Sequence, residues 1–116
     1  LGGNARLTFT VTSQEFEEKI ASEDFDGLYC FQDYLAVETI QVLRKRGYKI
    51  PGDIAVVGYF NTPWSEYPNC PLTSVSICED EIVRKVFDMF KGVEKPSQLT
   101  QMPRLVIRDS TTEFNK

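Results

Sequence analysis

The sequence contains no histidine, only three cysteines and no surplus of positive charge. Without histidine, Ser-His-Asp and Cys-His catalysis are excluded, together with every imidazole-based metal site. Cys30, Cys70 and Cys78 are an odd number and lack C-x-x-C spacing, so neither a disulfide framework nor a zinc ribbon is indicated. Three reduced thiols point to a cytoplasmic protein, and Cys30, set in an apolar run, reads as a buried small hydrophobe. The net charge of −4 leaves no basic footprint for nucleic acid. No apolar stretch approaches the ~20 residues of a membrane span, and no signal-peptide pattern opens the chain. G-x-G-x-x-G and P-loop motifs are missing, as is any nucleophile–base pair, so no enzyme activity and no cofactor are expected. Glu79, Asp80, Glu81 and Asp88 form a solvated acidic face with a helix-start bias, and no metal site is expected.

What is present is an ordinary globular composition. The chain has 116 residues, 41% apolar and 26% charged, the size of one domain or part of one. Two patterns alternate along it. Leu7–Val11 is a short β-branched and aromatic run. Thr12 and Glu15 after it have capping-box spacing, and Phe16 and Ile20 give the next helix one apolar stripe. Gly27–Phe31 is a continuous apolar run, typical of a strand buried on both faces. A helix follows from Asp33 to Arg46, with Leu35, Ala36, Ile40 and Leu43 inward and Gly47 as its stop. Pro51-Gly52-Asp53 makes a turn before a second buried strand, Ile54–Tyr59. A loop rich in turn formers and aromatics runs from Phe60 to Pro71, and Leu72–Ile77 reads as a strand. Ser76 and Glu79 are spaced as a second capping box. Ile82, Val83, Val86, Phe87 and Phe90 share one helix face, residues 92–101 form a polar linker, and Leu105–Ile107 closes as a strand.

Buried strands alternating with helices call for an α/β fold built on a parallel sheet. In such sheets ligands bind beyond the carboxyl ends of the strands. That rule selects Thr12-Ser13, Gln32-Asp33 and Phe60-Asn61, which are distant in sequence yet expected to line one crevice.

The residues then become recognisable. Asp26–Ala36, Leu43–Tyr59, Pro71–Val75 and Leu105–Thr111 resemble, in order and in register, four segments of the LacI/GalR family of bacterial transcriptional regulators. The resemblance implies a periplasmic-binding-protein-like lobe with a flavodoxin-like sheet. Complete members carry a helix-turn-helix headpiece and two lobes that hold a small effector between them. By this likeness residues 1–116 correspond to most of the C-terminal, effector-binding and dimerisation lobe, without the headpiece, the N-terminal lobe or the opening βα unit. The sheet is therefore expected to be incomplete. The helix around Ile82–Phe90, which in the family packs on the other lobe, is expected to leave its apolar face exposed or to dimerise.

The implied function is sensing of a sugar or other small metabolite by a homodimeric regulator, with operator DNA held only through the headpiece and no membrane partner. A solute-binding protein of an uptake system shares the fold and is the alternative. Expected ligand-binding residues are Gln32, Asp33, Phe60 and Asn61. Asp33 reads either as a helix N-cap or as a residue supporting the ligand contacts. Gln32 stands where the family places a ligand-bonding asparagine. Phe60 replaces the family's aspartate, which accepts hydrogen bonds from sugar hydroxyls. It implies an effector with a flat or apolar face, no effector, or plain loop core. Asn61 offers a polar group nearby, or local turn bonding. Ala36, Ile40, Leu43, Trp64 and Tyr67 are the expected dimer-interface residues, with a lid over Pro63 and Pro71 as the other reading of the two aromatics.

Overall fold

A computed structural model describes residues 13–93 and 100–112. Leu7–Val11, the Thr12 half of the first capping box, and part of the polar linker lie outside them. The elements in chain order are α1 (Ser13–Ser22), β1 (Gly27–Tyr29), α2 (Asp33–Lys45), β2 (Ala55–Tyr59), a 3-10 turn at Pro63–Glu66, β3 (Thr73–Ser76), α3 (Glu79–Phe90) and β4 (Arg104–Val106). The four strands form one sheet in the order β1-β2-β3-β4. β1, β2 and β3 are parallel, whereas β4 runs antiparallel to β3. The fold is α/β with a mostly parallel sheet, as the alternation of patterns requires.

The core lies on one side of that sheet. Ala36, Ile40 and Leu43 of α2 meet Ile54, Val56 and Leu72, and Ile20 of α1 joins the same cluster. Each fully buried Ile, Leu or Val contributes roughly 1.5–3 kcal/mol. α2 ends as its sequence demands. Gly47 adopts φ +93°, its N–H bonds to the Arg44 carbonyl at 3.0 Å, and the Tyr48 N–H bonds to that of Leu43 at 3.1 Å. This is the Schellman arrangement, which needs a left-handed residue just past the helix. Gly47→Ala is expected to lower stability by about 1 kcal/mol, read as a shift in the urea midpoint at constant slope.

Two expectations are corrected. β1 is an edge strand among the described residues, not one buried on both faces. Leu28 and Cys30 pack toward the core, but Tyr29 and Phe31 are 61% and 63% exposed. An apolar run reports hydrophobicity on both faces, not the presence of a layer to cover each. Ser76 and Glu79 do not form a capping box either. The helix cap is Cys78, in left-handed backbone at φ 57°, and the Ser76 hydroxyl accepts the Cys78 N–H at 3.0 Å. α3 buries none of its residues, leaving Val83, Val86, Phe87 and Phe90 exposed. It is tied to the last strand through Glu81, whose carboxylate accepts bonds from Gln101 and Arg104, both at 2.9 Å. These two partners hold the Glu81 carboxyl below the usual glutamate range, Gln101 first.

Candidate ligand-binding site

The crevice rule selects the carboxyl ends of β1 and β2. Their register sets Tyr29 beside Val57, so both chains leave the sheet at the same end. Gln32, the residue before α2, is extended at φ −148°, and its side chain makes no capping bond. Asp33 is the first residue of the helix and only 1% exposed. Its Oδ2 accepts the Thr62 N–H at 2.5 Å and the Thr62 hydroxyl at 2.9 Å, while its Oδ1 accepts the Ser74 hydroxyl at 2.6 Å. The side-chain bonds of Asp33 thus run to Thr62 and Ser74 rather than to the first turn of α2. The residue ties the start of α2 to the loop after β2 and to β3, a buried charge held by charge-assisted bonds.

The first three residues of that loop are each held at the amide. The Phe60 N–H bonds to the Val75 carbonyl at 2.8 Å, the Asn61 N–H to the Ser74 hydroxyl at 2.9 Å, and the Thr62 N–H to Asp33. The three contacts keep Phe60 at φ 87° and Asn61 at φ 50°. Left-handed backbone is tolerated by asparagine but costs a bulky residue such as phenylalanine roughly 1–3 kcal/mol. The Phe60 ring packs edge-to-face on Tyr59 at 4.6 Å, and Tyr59 packs likewise on Tyr29 at 6.3 Å. Phe60 is thus part of an aromatic rim, half-buried rather than sealed in the loop core. Partial burial and the adjacent Tyr59 raise the Tyr29 hydroxyl above its usual range, so it stays protonated at neutral pH. Burial likewise raises the Cys30 thiol, against a lowering bond from Thr39.

Asn61 faces inward as well as outward. Its Oδ1 accepts bonds from Arg108 Nη2 at 2.8 Å and from the Ser65 hydroxyl at 3.2 Å. Arg108 also donates to the Leu72 carbonyl at 2.8 Å. Sequence reasoning missed Thr62, Ser65, Ser74 and Arg108 as the frame of this loop. One signal was available. Ser74 stands with Thr73 and Ser76 in a strand flanked on both sides by other strands, where an inward polar side chain requires a partner.

The expected interface residues divide. Ala36, Ile40 and Leu43 are fully buried in the chain's own core, which corrects their assignment to a dimer surface. The same inward periodicity that identifies them as apolar takes them out of reach of a partner. The outer side of α2 offers Gln41 and Arg44 instead. Gln41 donates to the Tyr67 hydroxyl at 3.5 Å, and Arg44 to the Asn69 carbonyl at 3.1 Å. Tyr67 leans on the core, whereas Trp64 stays 57% exposed beside it. All three cysteines are unpaired. Among the described residues, no cluster of three metal-ligating side chains occurs, and no helix is long and apolar enough to cross a membrane.

The model of the periplasmic binding protein-like domain matches residues 3–111. The chain belongs to that family. Among relatives of this periplasmic-binding-protein-like domain is the HTH-type transcriptional repressor PurR of Vibrio vulnificus, 31% identical over 105 residues. The match covers 84% of this chain but 31% of the repressor. The solved complex of the transcriptional regulator CelR with cellobiose is 29% identical with a TM-score of 0.63, covering 82% of this chain and 31% of that one. A LacI family regulator from Lactobacillus casei with bound sucrose is 30% identical with a TM-score of 0.61, covering 73% and 33%. The domain thus spans about a third of the length of the relatives it matches. It is of the LacI/GalR type and corresponds to part of that type's effector-binding domain. These relatives are transcriptional regulators, which favours a regulator over a solute-binding protein of an uptake system.

Proposed function

We propose that this chain is the effector-sensing and dimerisation lobe of a cytoplasmic LacI-type regulator. Its ligand is a sugar or other small metabolite, and the whole protein reaches operator DNA through a separate headpiece. The observation that carries this reading is the loop Phe60–Thr62, held at three successive amides so that its side chains stand in fixed positions at the ends of β1 and β2. Gln32, Phe60 and Asn61 contact the effector, and Asp33 positions them from behind. A ligand gripped here and by a second lobe favours one relative lobe orientation, and so changes how two headpieces fit operator half-sites. The non-enzymatic role agrees with relatives that are regulators. Homodimer contacts fall on Trp64, the rim of Tyr67 and the outer side of α2 around Gln41 and Arg44.

The test is thermal unfolding of the chain against a panel of sugars, nucleobases, amino acids and carboxylates at millimolar concentration. A ligand at ten times its Kd adds about 1.4 kcal/mol to stability. For a domain of this size that raises Tm by several degrees. At least one compound in the panel is expected to do so, while a DNA duplex is not. A panel without any stabilising compound overturns the reading.

A further inference from the structure

The segment after β4 is bolted into the sheet. Ser110 is fully buried, its hydroxyl donating to the Val56 carbonyl at 2.5 Å and accepting the Thr73 N–H at 2.8 Å. The Ser110 carbonyl accepts the Val56 N–H at 3.0 Å. Two residues earlier, the Thr73 hydroxyl accepts the Arg108 N–H at 2.8 Å and donates to the Arg108 carbonyl at 3.0 Å. Arg108 thus springs from a fixed backbone. Its guanidinium is fixed in turn, one arm on the Leu72 carbonyl and the other on Asn61 Oδ1, each at 2.8 Å.

A guanidinium carries donors only, so the Asn61 amide meets it through Oδ1 and in no other orientation. The Ser65 hydroxyl, 3.2 Å from the same oxygen, has one proton and a nearer acceptor in the Thr62 carbonyl at 2.7 Å. Arg108 is therefore the principal partner. Asn61 is half-buried, and its Nδ2 has no hydrogen-bond partner among the described residues. A free asparagine amide offers either end to its surroundings, whereas this one offers its donor end alone.

We infer that Arg108 is a positioning residue for the ligand loop, holding Asn61 so that Nδ2 is presented as a donor. The ligand atom set against Asn61 is then an acceptor, a hydroxyl or carbonyl oxygen or a ring nitrogen. The inference rests on the sensing-lobe reading and names how one contact of that site is set.

The experiment follows the Asn61 side-chain amide by NMR relaxation in the full chain, in Arg108→Met and in Arg108→Lys. In the wild-type chain its order parameter is expected near the rigid value of about 0.85, and in Arg108→Met below about 0.6. Lysine carries a single ammonium on a flexible stem and lacks the planar fork that holds Leu72 and Asn61 together, so Arg108→Lys is expected to behave alike. The Phe60 and Thr62 backbone amides, bonded to Val75 and Asp33, are expected to keep their exchange rates in both variants. A general loosening of the loop would raise them. Glucose and adenine, each titrated to millimolar concentration, supply the ligand arm. At least one is expected to shift the Asn61 Nδ2 signal saturably and to bind Arg108→Met about fivefold more weakly, the loss of one oriented hydrogen bond. Circular dichroism confirms folding, and Arg108→Lys carries both readouts if the methionine variant does not fold. A mobile Asn61 amide in the wild-type chain overturns the inference. So does an amide that stays rigid in both variants, faster exchange at Phe60 and Thr62, an Nδ2 signal that neither probe moves, or a probe bound equally well without Arg108. The two readings fail separately. A thermal panel with no stabilising compound removes the sensing lobe, whereas a compound that stabilises the chain while the Asn61 amide stays mobile removes only this role of Arg108.

Discussion

Asp33→Ala is expected to remove about 4 kcal/mol of stability, a large share of the roughly 5–15 kcal/mol typical of a folded domain. The carboxylate is 1% exposed and accepts three hydrogen bonds. A hydrogen bond to a charged group contributes roughly 1.5–3 kcal/mol, and the Thr62 amide and Ser74 hydroxyl lose their partner in the low-dielectric interior. The contributions are not additive, which keeps the figure below their sum. Asp33→Asn retains one acceptor oxygen and is expected to cost about half as much. Urea unfolding of the three proteins gives the order directly. A loss below about 1 kcal/mol for the alanine variant would mean that the loop after β2 is held by something else.

Gly58→Ala is the second large effect, for a reason of space rather than backbone freedom. A β-carbon built on Gly58 lies 2.3 Å from Asp33 Oδ1 and 2.7 Å from Leu72 Cδ2. Neither neighbour can retreat easily. The carboxylate oxygen is bonded to Ser74, and Leu72 is fully buried. Overpacking costs typically ~1–3 kcal/mol, and this site belongs at the upper end, about 3 kcal/mol. The two substitutions share one contact, so they are expected to couple. With Asp33 truncated, the tighter of the two clashes is gone while that with Leu72 remains, and the double variant is expected to lose at least 1 kcal/mol less than the sum of the singles. Strict additivity in thermal or urea unfolding would show that Gly58 and Asp33 do not press on each other in solution.

These two residues also show where the sequence was informative and where it was not. The span of α2 and its stop at Gly47 were legible, because periodicity and a left-handed terminator are local signals. β2 was legible as a strand from its apolar run, although only alternate residues of it are fully buried. The proposed crevice was reachable from topology alone, since ligands in such sheets bind beyond the strand ends. What supports it was not. Asp33 meets Thr62 across 29 residues and Ser74 across 41, and no local spacing encodes such a contact. The same limit explains Ala36, Ile40 and Leu43. Their spacing marks an apolar face without saying whether the chain's own sheet or another chain covers it. The doubly buried reading of Gly27–Phe31 failed likewise, because β1 has one neighbouring strand and one covered face among the described residues. Phe60 carried its signal in its identity, and its left-handed backbone became visible only in the fold.

The central claim is that the loop ends of β1 and β2 form a ligand site on this lobe. Hydrogen exchange of backbone amides tests it most directly, with and without the compound that stabilises the chain most. The amides of residues 30–32 and 59–62 are expected to gain protection first and most strongly. Protection that instead centres on α3, or on the concavity bounded by Arg44, Ile50, Cys70 and Asp109 at the opposite end of the sheet, would contradict the account.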